Sequence, residues 1–491
     1  MASHPSDPLQ TAIPVALQLL KNGQGAAAVT IVEPLMQQFP GHPQLHHILG
    51  LALEQTGNLA QAIHHISRAI VIEPRQVEMY RSLANLLRKA GKTTIALERL
   101  KDALQLAEDL PDLHFLMGDM SMDLGMMASA MAGFVKAIDL DPTLLSAWIN
   151  LGLCHKAVGE LRRAEKCFEQ ALSLDPRSAE AHVNLAHTLL LLGDESRGFD
   201  ELEWRFHLPG GSGLAVHPPD QLRRWSGEPL HHKKIVVLAE QGYGDTIQFI
   251  RFVPRLLELG GQVTVIVAKP LEPLLQGQPG LGKIQAEIRW SENVDYFIPM
   301  MSLARHFITP RHPPVPPYIF ADPERSRHWR QRLPPDRFKI GLVWEGKPLH
   351  QNDPLRRRSV NLDSLAPLWQ RDERRLFISL QKKETTADKA ISWPPHANIL
   401  DVGPELHDFA DTAAVMDNLD LIISIDTATA HLAGALGKPV WILLPLAPDW
   451  RWTADQDVTP WYPSSRLYRQ SRPNRWEEPV AQILADLEKR P

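Results

Sequence analysis

Two short stretches of this 491-residue chain gather residue types that could do chemistry on a hydroxyl and an anion. In the first, Glu240-Gln241-Gly242-Tyr243-Gly244-Asp245, the two glycines permit a tight turn with close backbone approach, and Asp245 stands where a helix should begin. A carboxylate in that place can take a proton from a hydroxyl. It can equally cap its helix, because Asp245 and Gln248 have capping-box spacing. The third glycine of a dinucleotide fingerprint is replaced by Ile247, so nicotinamide chemistry is not expected. In the second stretch, Asp426 precedes a helix that opens with Thr427, Ala428 and Thr429. Unpaired main-chain N–H groups there, together with the helix dipole, favour an anion such as a pyrophosphate. His431, in the first turn, could reach a phosphate or a sugar hydroxyl. Asp426 would repel phosphate, and suits a sugar hydroxyl or a helix cap better.

A basic loop, Val343 to Val360, supplies Lys347, Asn352, Arg356, Arg358 and Ser359, either to neutralise a departing diphosphate or as a solvated surface. Gln381 and Lys382 follow the apolar run Arg374–Leu380, where a nucleotide could pass; the alternative is an exposed strand end. Asp408 and Asp411 read as ordinary caps. No Asp-x-Asp motif is placed to hold a divalent ion beside a diphosphate. Lys plus Arg number 52 against 57 for Asp plus Glu, and this balance argues against sequence-independent binding of nucleic acid. Cys154 and Cys167 have no Cys or His companions at metal-site spacing and read as small core residues.

These candidates need a scaffold, and the second half of the chain alternates strand and helix. Apolar runs at Lys233–Glu240, Gln262–Lys269, Val294–Met300, Phe338–Trp344, Arg374–Leu380, Leu419–Ile425 and Pro439–Leu444 are those of a parallel, doubly wound sheet. An amphipathic helix is expected from Thr246 to about Leu259. The Pro-rich break near residue 315 divides the series into two Rossmann-like lobes, 233–320 and 321–491, with a ligand crevice at the carboxyl ends of the strands. Residues 207–232, rich in Pro and Gly, read as a linker.

Ahead of it lies a repeat. Gly23, Gly57, Gly91, Gly125, Gly159 and Gly193 are each 34 residues apart, and Pro40, Pro74, Pro142 and Pro176 mark unit ends. A 34-residue helix-turn-helix period is the tetratricopeptide signature, so residues 9–206 are expected to form about six repeats in a superhelix whose concave wall takes polypeptide. Asn150 and Asn184 hold equivalent positions on successive first helices, resembling the asparagine ladder with which O-linked N-acetylglucosamine transferases grip extended polypeptide. Exposed polar positions on a solenoid are the plainer explanation.

Together, E-Q-G-x-G-D and D-T-x-x-x-H-L-A-G-A-L-G-K-P look like the lipopolysaccharide heptosyltransferase type of glycosyltransferase. With the repeats, the segment Glu203-Trp204-Arg205-Phe206 and the stretches Pro448–Trp452 and Thr459–Gln470, nearly the whole chain resembles bacterial tetratricopeptide-repeat proteins carrying that domain. The resemblance implies an all-α superhelix followed by an α/β domain of GT-B type. It further implies an inverting, metal-independent transferase with no cofactor, using a nucleotide-diphosphate sugar as co-substrate. Asp245 becomes the base on the acceptor-side lobe, with Gln241, Gly242, Tyr243 and Gly244 as its loop, and the later lobe binds the donor. Similar proteins carry N-D-x-x-R-S; the stretch from Asn352 to Ser359 is longer here, so either Arg356 or Arg358 could meet phosphate. A protein recruited by the repeats is the expected acceptor. The alternatives are a surface glycan or lipid-linked saccharide, or a non-catalytic adaptor with a degenerate transferase domain. The first ten residues lack a basic start and apolar run, and no stretch reaches the roughly 18 apolar residues of a membrane span, so a cytoplasmic protein is expected.

Overall fold

All six glycines of the 34-residue series have positive φ, between 71° and 83°, the left-handed turn that lets one helix fold back on the next. They separate the paired helices α1 and α2 (Pro8–Lys21, Gly25–Gln38), α3 and α4 (Pro43–Gln55, Leu59–Ile72), α5 and α6 (Val77–Lys89, Thr93–Leu106), α7 and α8 (Pro111–Asp123, Met127–Leu140), α9 and α10 (Leu145–Ala157, Leu161–Leu174), and α11 and α12 (Ala179–Leu191, Glu195–Leu202). Small residues set the spacing inside a pair. A Cβ on Gly118 would lie 2.7 Å from the Phe134 ring, and one on Gly152 2.6 Å from Phe168. The computed structural model describes residues 8–211, 213–214, 216–290, 293–308, 317–346, 358–369, 374–382, 393, 398–472 and 475–490. No described helix is long and apolar enough to cross a membrane.

The chain divides into two compact units, residues 1–155 with 166–176, and residues 156–165 with 177–491. The first is helical repeat, with apolar cores around Leu45, Ile66, Leu86 and Leu100 and around Phe134 and Ala147. The last helical pair therefore groups with the α/β region, which moves the division upstream of the expected position 206.

In the second unit, β1 (Arg223–Arg224), β2 (Lys234–Leu238), β3 (Gln262–Ile266), β4 (Lys283–Gln285) and β5 (Tyr296–Pro299) form a parallel sheet in the order β1-β5-β2-β3-β4. A second parallel sheet holds β6 (Phe338–Val343), β7 (Arg375–Ser379), β8 (Ile399–Asp401), β9 (Leu421–Ile425), β10 (Val440–Leu444) and β11 (Ser465–Arg469) in the order β11-β10-β9-β6-β7-β8. Successive side chains alternate between faces: Ile235 and Val237 enter one apolar core while Val236 and Leu238 enter another. The helices are α13 (Tyr243–Phe249), α14 (Val253–Glu258), α15 (Glu272–Leu275), α16 (Ser302–Phe307), α17 (Pro323–Arg332), α18 (Phe409–Asp417), α19 (Ala428–Ala435) and α20 (Glu477–Glu488).

Two expectations change. The helix read from Thr246 to Leu259 is α13, a 3₁₀ turn at Ile250–Phe252, and α14, because Pro254 has no N–H for an unbroken ladder and starts the second piece. Residues 207–232 are not a free linker: Arg223 and Arg224 pair with β5, and Trp225 and Leu230 are buried in the core.

Candidate functional site

Each sheet has a point where the winding reverses, and ligands in such sheets bind at the carboxyl ends of the strands there. In the first sheet the reversal flanks β2, whose end runs into the Gln241–Gly244 turn and α13. In the second it falls between β6 and β9, and β9 runs into Asp426, Thr427 and α19. Both junctions marked in the sequence thus follow strands that flank a winding reversal.

At the first junction Gln241 has φ 59°, left-handed backbone that disfavours a side-chain-bearing residue by about 1 kcal/mol or more. A buried cluster over-determines it. Arg205, 3% exposed, donates to both carboxylate oxygens of Glu240 at 2.8 and 2.9 Å, and Glu240 accepts the Met301 N–H at 3.0 Å. Arg205 also reaches Glu203 and Ser302, at 2.8 Å each. Glu203 and Arg205 belong to the tetratricopeptide-to-α/β transition, so that segment pins the turn from below.

Asp245 is the third residue of α13. Its Oδ2 accepts the Gly242 N–H at 2.8 Å, and its Oδ1 accepts from Arg451. The capping read between Asp245 and Gln248 is corrected: Asp245 itself closes the cap on Gly242, and Gln248, fully buried, accepts from Arg451 Nε at 2.7 Å instead. Arg451 lies in the 3₁₀ turn Trp450–Trp452 and donates from Nη1 to Asp449 at 2.7 Å, so one buried guanidinium joins a carboxylate of each lobe. Burial pushes the Asp449 carboxyl up, yet the charge and hydrogen bonds of Arg451 outweigh it and hold it at about 2. Asp449 and Arg451 lie in the Pro448–Trp452 stretch quoted for its resemblance, but nothing in local spacing marks them as partners of a residue some two hundred positions earlier. Tyr243 is exposed, its ring edge-on to Phe409 at 5.2 Å.

At the second junction no side chain caps α19. The Thr427 hydroxyl turns back towards the strand, 3.2 Å from Ser424 Oγ and 3.4 Å from the Ile425 carbonyl. Arg358 donates to the Asp426 carbonyl at 3.4 Å, and Ser359 accepts the Gly346 N–H at 3.3 Å. Arg358 thus lies at the end of β9, and Ser359 at the turn after β6. Burial and the like charge of Asp449 push the Asp426 carboxyl up to about 6. A cavity of about 350 Å³ beside β6 is lined by Trp344, Glu345, Ser359, Val360, Asn361 and Leu362.

The two junctions meet. A Cβ on Gly244 would lie 2.7 Å from His431 Cδ2, so only glycine lets α13 approach α19 this closely. This contact corrects the reading of His431 as an open phosphate or hydroxyl contact. The ring is 4% exposed, bonds Tyr462 Oη through Nδ1 at 2.8 Å, and faces Asp426 Oδ1 at 4.0 Å through Nε2. Burial, reinforced by Arg451, pulls its pKa down to about 3, so the imidazole is neutral.

Other expected contacts are taken by the protein. Gln381 accepts the N–H groups of Trp344 and Glu345 and donates to the Glu345 carbonyl at 3.0 Å, so it shapes the turn after β6. Lys382 donates to the His407 carbonyl at 2.9 Å. Lys347, Asn352 and Arg356 lie outside the described residues. Asp408 caps α18 as expected, and Asp408 and Asp411 both bind Arg325 of α17. In the repeat unit, Asn150 donates to Asp119 at 3.4 Å. A groove of about 820 Å³ there is lined by Glu54, Arg81, Ser82, Asn85, Arg88 and Asp123, among others. Cys154 and Cys167 are buried free thiols, both pushed up to about 11 by burial.

Residues 368–454 match the family described as glycosyltransferase family 9 (heptosyltransferase), and residues 16–76, 146–178 and 167–198 match tetratricopeptide repeats. The transferase match takes in Asp426–His431 and Asp449–Arg451, and leaves Asp245 outside. Protein FlbA of Caulobacter vibrioides is 27% identical over 339 residues, which cover 62% of this chain and 54% of FlbA, so the chain spans about half the length of that relative. Among solved structures, a thermophilic tetratricopeptide protein of Thermus thermophilus is similar at 24% identity, over 37% of this chain and 98% of its own, with a TM-score of 0.31. Pseudomonas aeruginosa PilF is similar at 16% identity, over 42% and 93%, with a TM-score of 0.38. The chain thus carries tetratricopeptide repeats in its N-terminal region and a glycosyltransferase family 9 (heptosyltransferase) domain towards its C-terminus.

Proposed function

We propose that the two α/β lobes form a GT-B-type active site that transfers a sugar from a nucleotide-diphosphate donor to a hydroxyl of a protein held by the repeats. The observation that carries this is the apposition of the two junctions: a carboxylate, Asp245, on one side and a helix start without a side-chain cap, α19, on the other.

In this reading Asp245 takes the proton of the acceptor hydroxyl as its oxygen attacks the anomeric carbon. The carboxylate is engaged, yet each oxygen has a second lone pair, and Arg451 fixes its direction. The bond from the anomeric carbon to the diphosphate breaks, and its electron pair leaves with the diphosphate. Main-chain N–H groups at Thr427, Ala428 and Thr429, with Arg358, stabilise that charge without a metal ion. A single in-line displacement inverts the sugar's configuration. The cavity beside Trp344 and Asn361 has room for the nucleoside. A polypeptide acceptor is supported by the repeat groove, whose polar lining suits an extended chain.

The test is nucleotide release from a panel of nucleotide-diphosphate sugars, in wild type and in Asp245→Asn. Release by the wild type that the substitution lowers by about a hundredfold or more, in a protein that still melts cooperatively above the assay temperature, is the expected result. Equal release by both proteins would remove Asp245 from the chemistry.

A further inference from the structure

The last helical pair does more than end the array. α11 packs against the Trp450–Trp452 turn, and Ala186, Leu190 and Phe199 share one apolar core with Trp450, Trp452 and Trp461. The Phe199 ring stands edge-on to Phe249, Trp450 and Trp461, at 6.0, 5.7 and 6.2 Å. This packing fixes α11 beside Arg451, the residue that binds Asp245. His187, between Ala186 and Thr188 on α11, lies within the electrostatic reach of Asp449 and Arg451. Lys156, at the end of α9, lies within reach of Asp449 and of His187. Both side chains are half-buried, and neither makes a hydrogen bond or ion pair among the described residues. Half-buried polar side chains with no protein partner keep their hydrogen-bonding capacity open to a ligand that docks on them. Burial pulls the His187 pKa down to about 3, which leaves one ring nitrogen to donate and one to accept. Asn184 sits three residues before His187, on the same face of α11.

We propose that α11, with the end of α9, forms the acceptor wall of the cleft, where His187 and Lys156 position a polypeptide so that its hydroxyl lies at Asp245, with Asn184 bonding its main chain. The proposal rests on the transferase reading above. It makes the final repeat part of the active site, and it makes His187 and Lys156 positioning residues for the acceptor.

The experiment uses the full chain, the nucleotide-sugar panel, a serine- and threonine-containing peptide library and, separately, a panel of mono- and disaccharides. Peptide-stimulated nucleotide release is followed in wild type, His187→Ala, His187→Gln and Lys156→Met, with thermal melts to confirm folding. The expected result is a KM for peptide raised about tenfold in His187→Ala and Lys156→Met, kcat at saturating peptide altered less than about threefold, and partial recovery in His187→Gln, which retains a donor and an acceptor. Peptide kinetics unchanged in both truncations would overturn the proposal while leaving the transferase reading intact. Stimulation by saccharides alone would overturn the polypeptide assignment. A wild type that releases nucleotide from no donor would overturn the transferase reading, and the acceptor wall with it.

Discussion

The two strand-to-helix junctions of the α/β region end in opposite ways. At α13 the Asp245 carboxylate folds back onto the Gly242 N–H, placing a negative charge at the positive end of a helix. At α19 the Thr427 hydroxyl turns away, and no side chain offsets the dipole. One helix start carries its own carboxylate and the other leaves its N–H groups without a side-chain cap, although both follow a parallel strand at a winding reversal. Arg451 keeps the difference in place, because it ties the first junction's carboxylate to a residue of the second lobe. Arg451→Met should therefore be the most damaging change to folding. It leaves Asp245 and Asp449, both largely shielded from water, without their cation, and should cost about 3–5 kcal/mol in urea unfolding. A loss below about 1 kcal/mol would show that the bridge does not hold the lobes' carboxylates.

The same comparison predicts that activity, unlike stability, is concentrated at the first junction's carboxylate. Asp245→Asn keeps an oxygen to accept the Gly242 N–H, removes the proposed base and leaves Arg451 paired with Asp449, so nucleotide release should fall by about a hundred- to ten-thousand-fold while the melt, though lowered, stays cooperative. Thr427→Ala should cost no more than about 0.5–1.5 kcal/mol, the worth of the hydroxyl's bonds to Ser424 and the Ile425 carbonyl, because it caps nothing. A larger loss there would mean that the second junction is closed by its own side chain after all.

What was legible in the sequence follows from how local each signal is. The 34-residue glycine series announced the repeats because the left-handed turn is a property of one residue at a time, and each of those glycines has positive φ. The apolar runs announced the strands for the same reason. The capping partner was misassigned because Gln248 has the right spacing while the partner used, the Gly242 N–H, belongs to no side chain. The linker reading of residues 207–232 followed composition, which cannot register that Trp225 is 3% exposed beneath an edge strand. Arg451 was invisible as a site residue because its meaning is the carboxylate it meets across the cleft. Pro254, by contrast, could have been read: the apolar pattern from Thr246 onward outweighed a break that the missing N–H makes necessary.

Acidification probes the interface between the junctions. His431 titrates near 3 in the folded chain against an ordinary 6.5, so as pH falls below 6.5 the unfolded chain takes up the proton first and stability is lost. Asp426 runs the other way. With a pKa of about 6 against 3.8, the folded form binds its proton first between those values and gains. The contributions separate in a variant. Between pH 6.5 and 5, the stability advantage of wild type over His431→Gln should shrink by about 2 kcal/mol, measured by urea unfolding at each pH. An advantage independent of pH would mean that the ring is not held neutral between the helices.

Crowding at that interface gives a smaller effect. Gly244→Ala would place its Cβ 2.7 Å from His431 Cδ2, inside any real contact, whereas a Cβ on Gly242 would meet only Asp245 Oδ2 at 3.2 Å. Gly244→Ala should cost about 1–3 kcal/mol in a thermal or urea melt, since a buried ring has little room to retreat. If Gly242→Ala proved the more damaging of the two, close approach of α13 to α19 would not be what the second glycine provides.

The smallest change in stability carries the sharpest sign. Thr429 is the second residue of α19, and an aspartate there would complete the offset that the native sequence omits. Near a helix start such a charge stabilises by about 0.3–1 kcal/mol. It also occupies, electrostatically, the place assigned to the leaving diphosphate. Thr429→Asp should accordingly melt slightly higher than wild type while binding UDP, GDP or ADP, whichever the wild type prefers, about tenfold more weakly or worse. Opposite movement of the two measurements is the signature of a helix end reserved for an anion. If stability and nucleotide affinity rose together, or affinity did not move, the contrast between the two junctions would describe only how each helix begins.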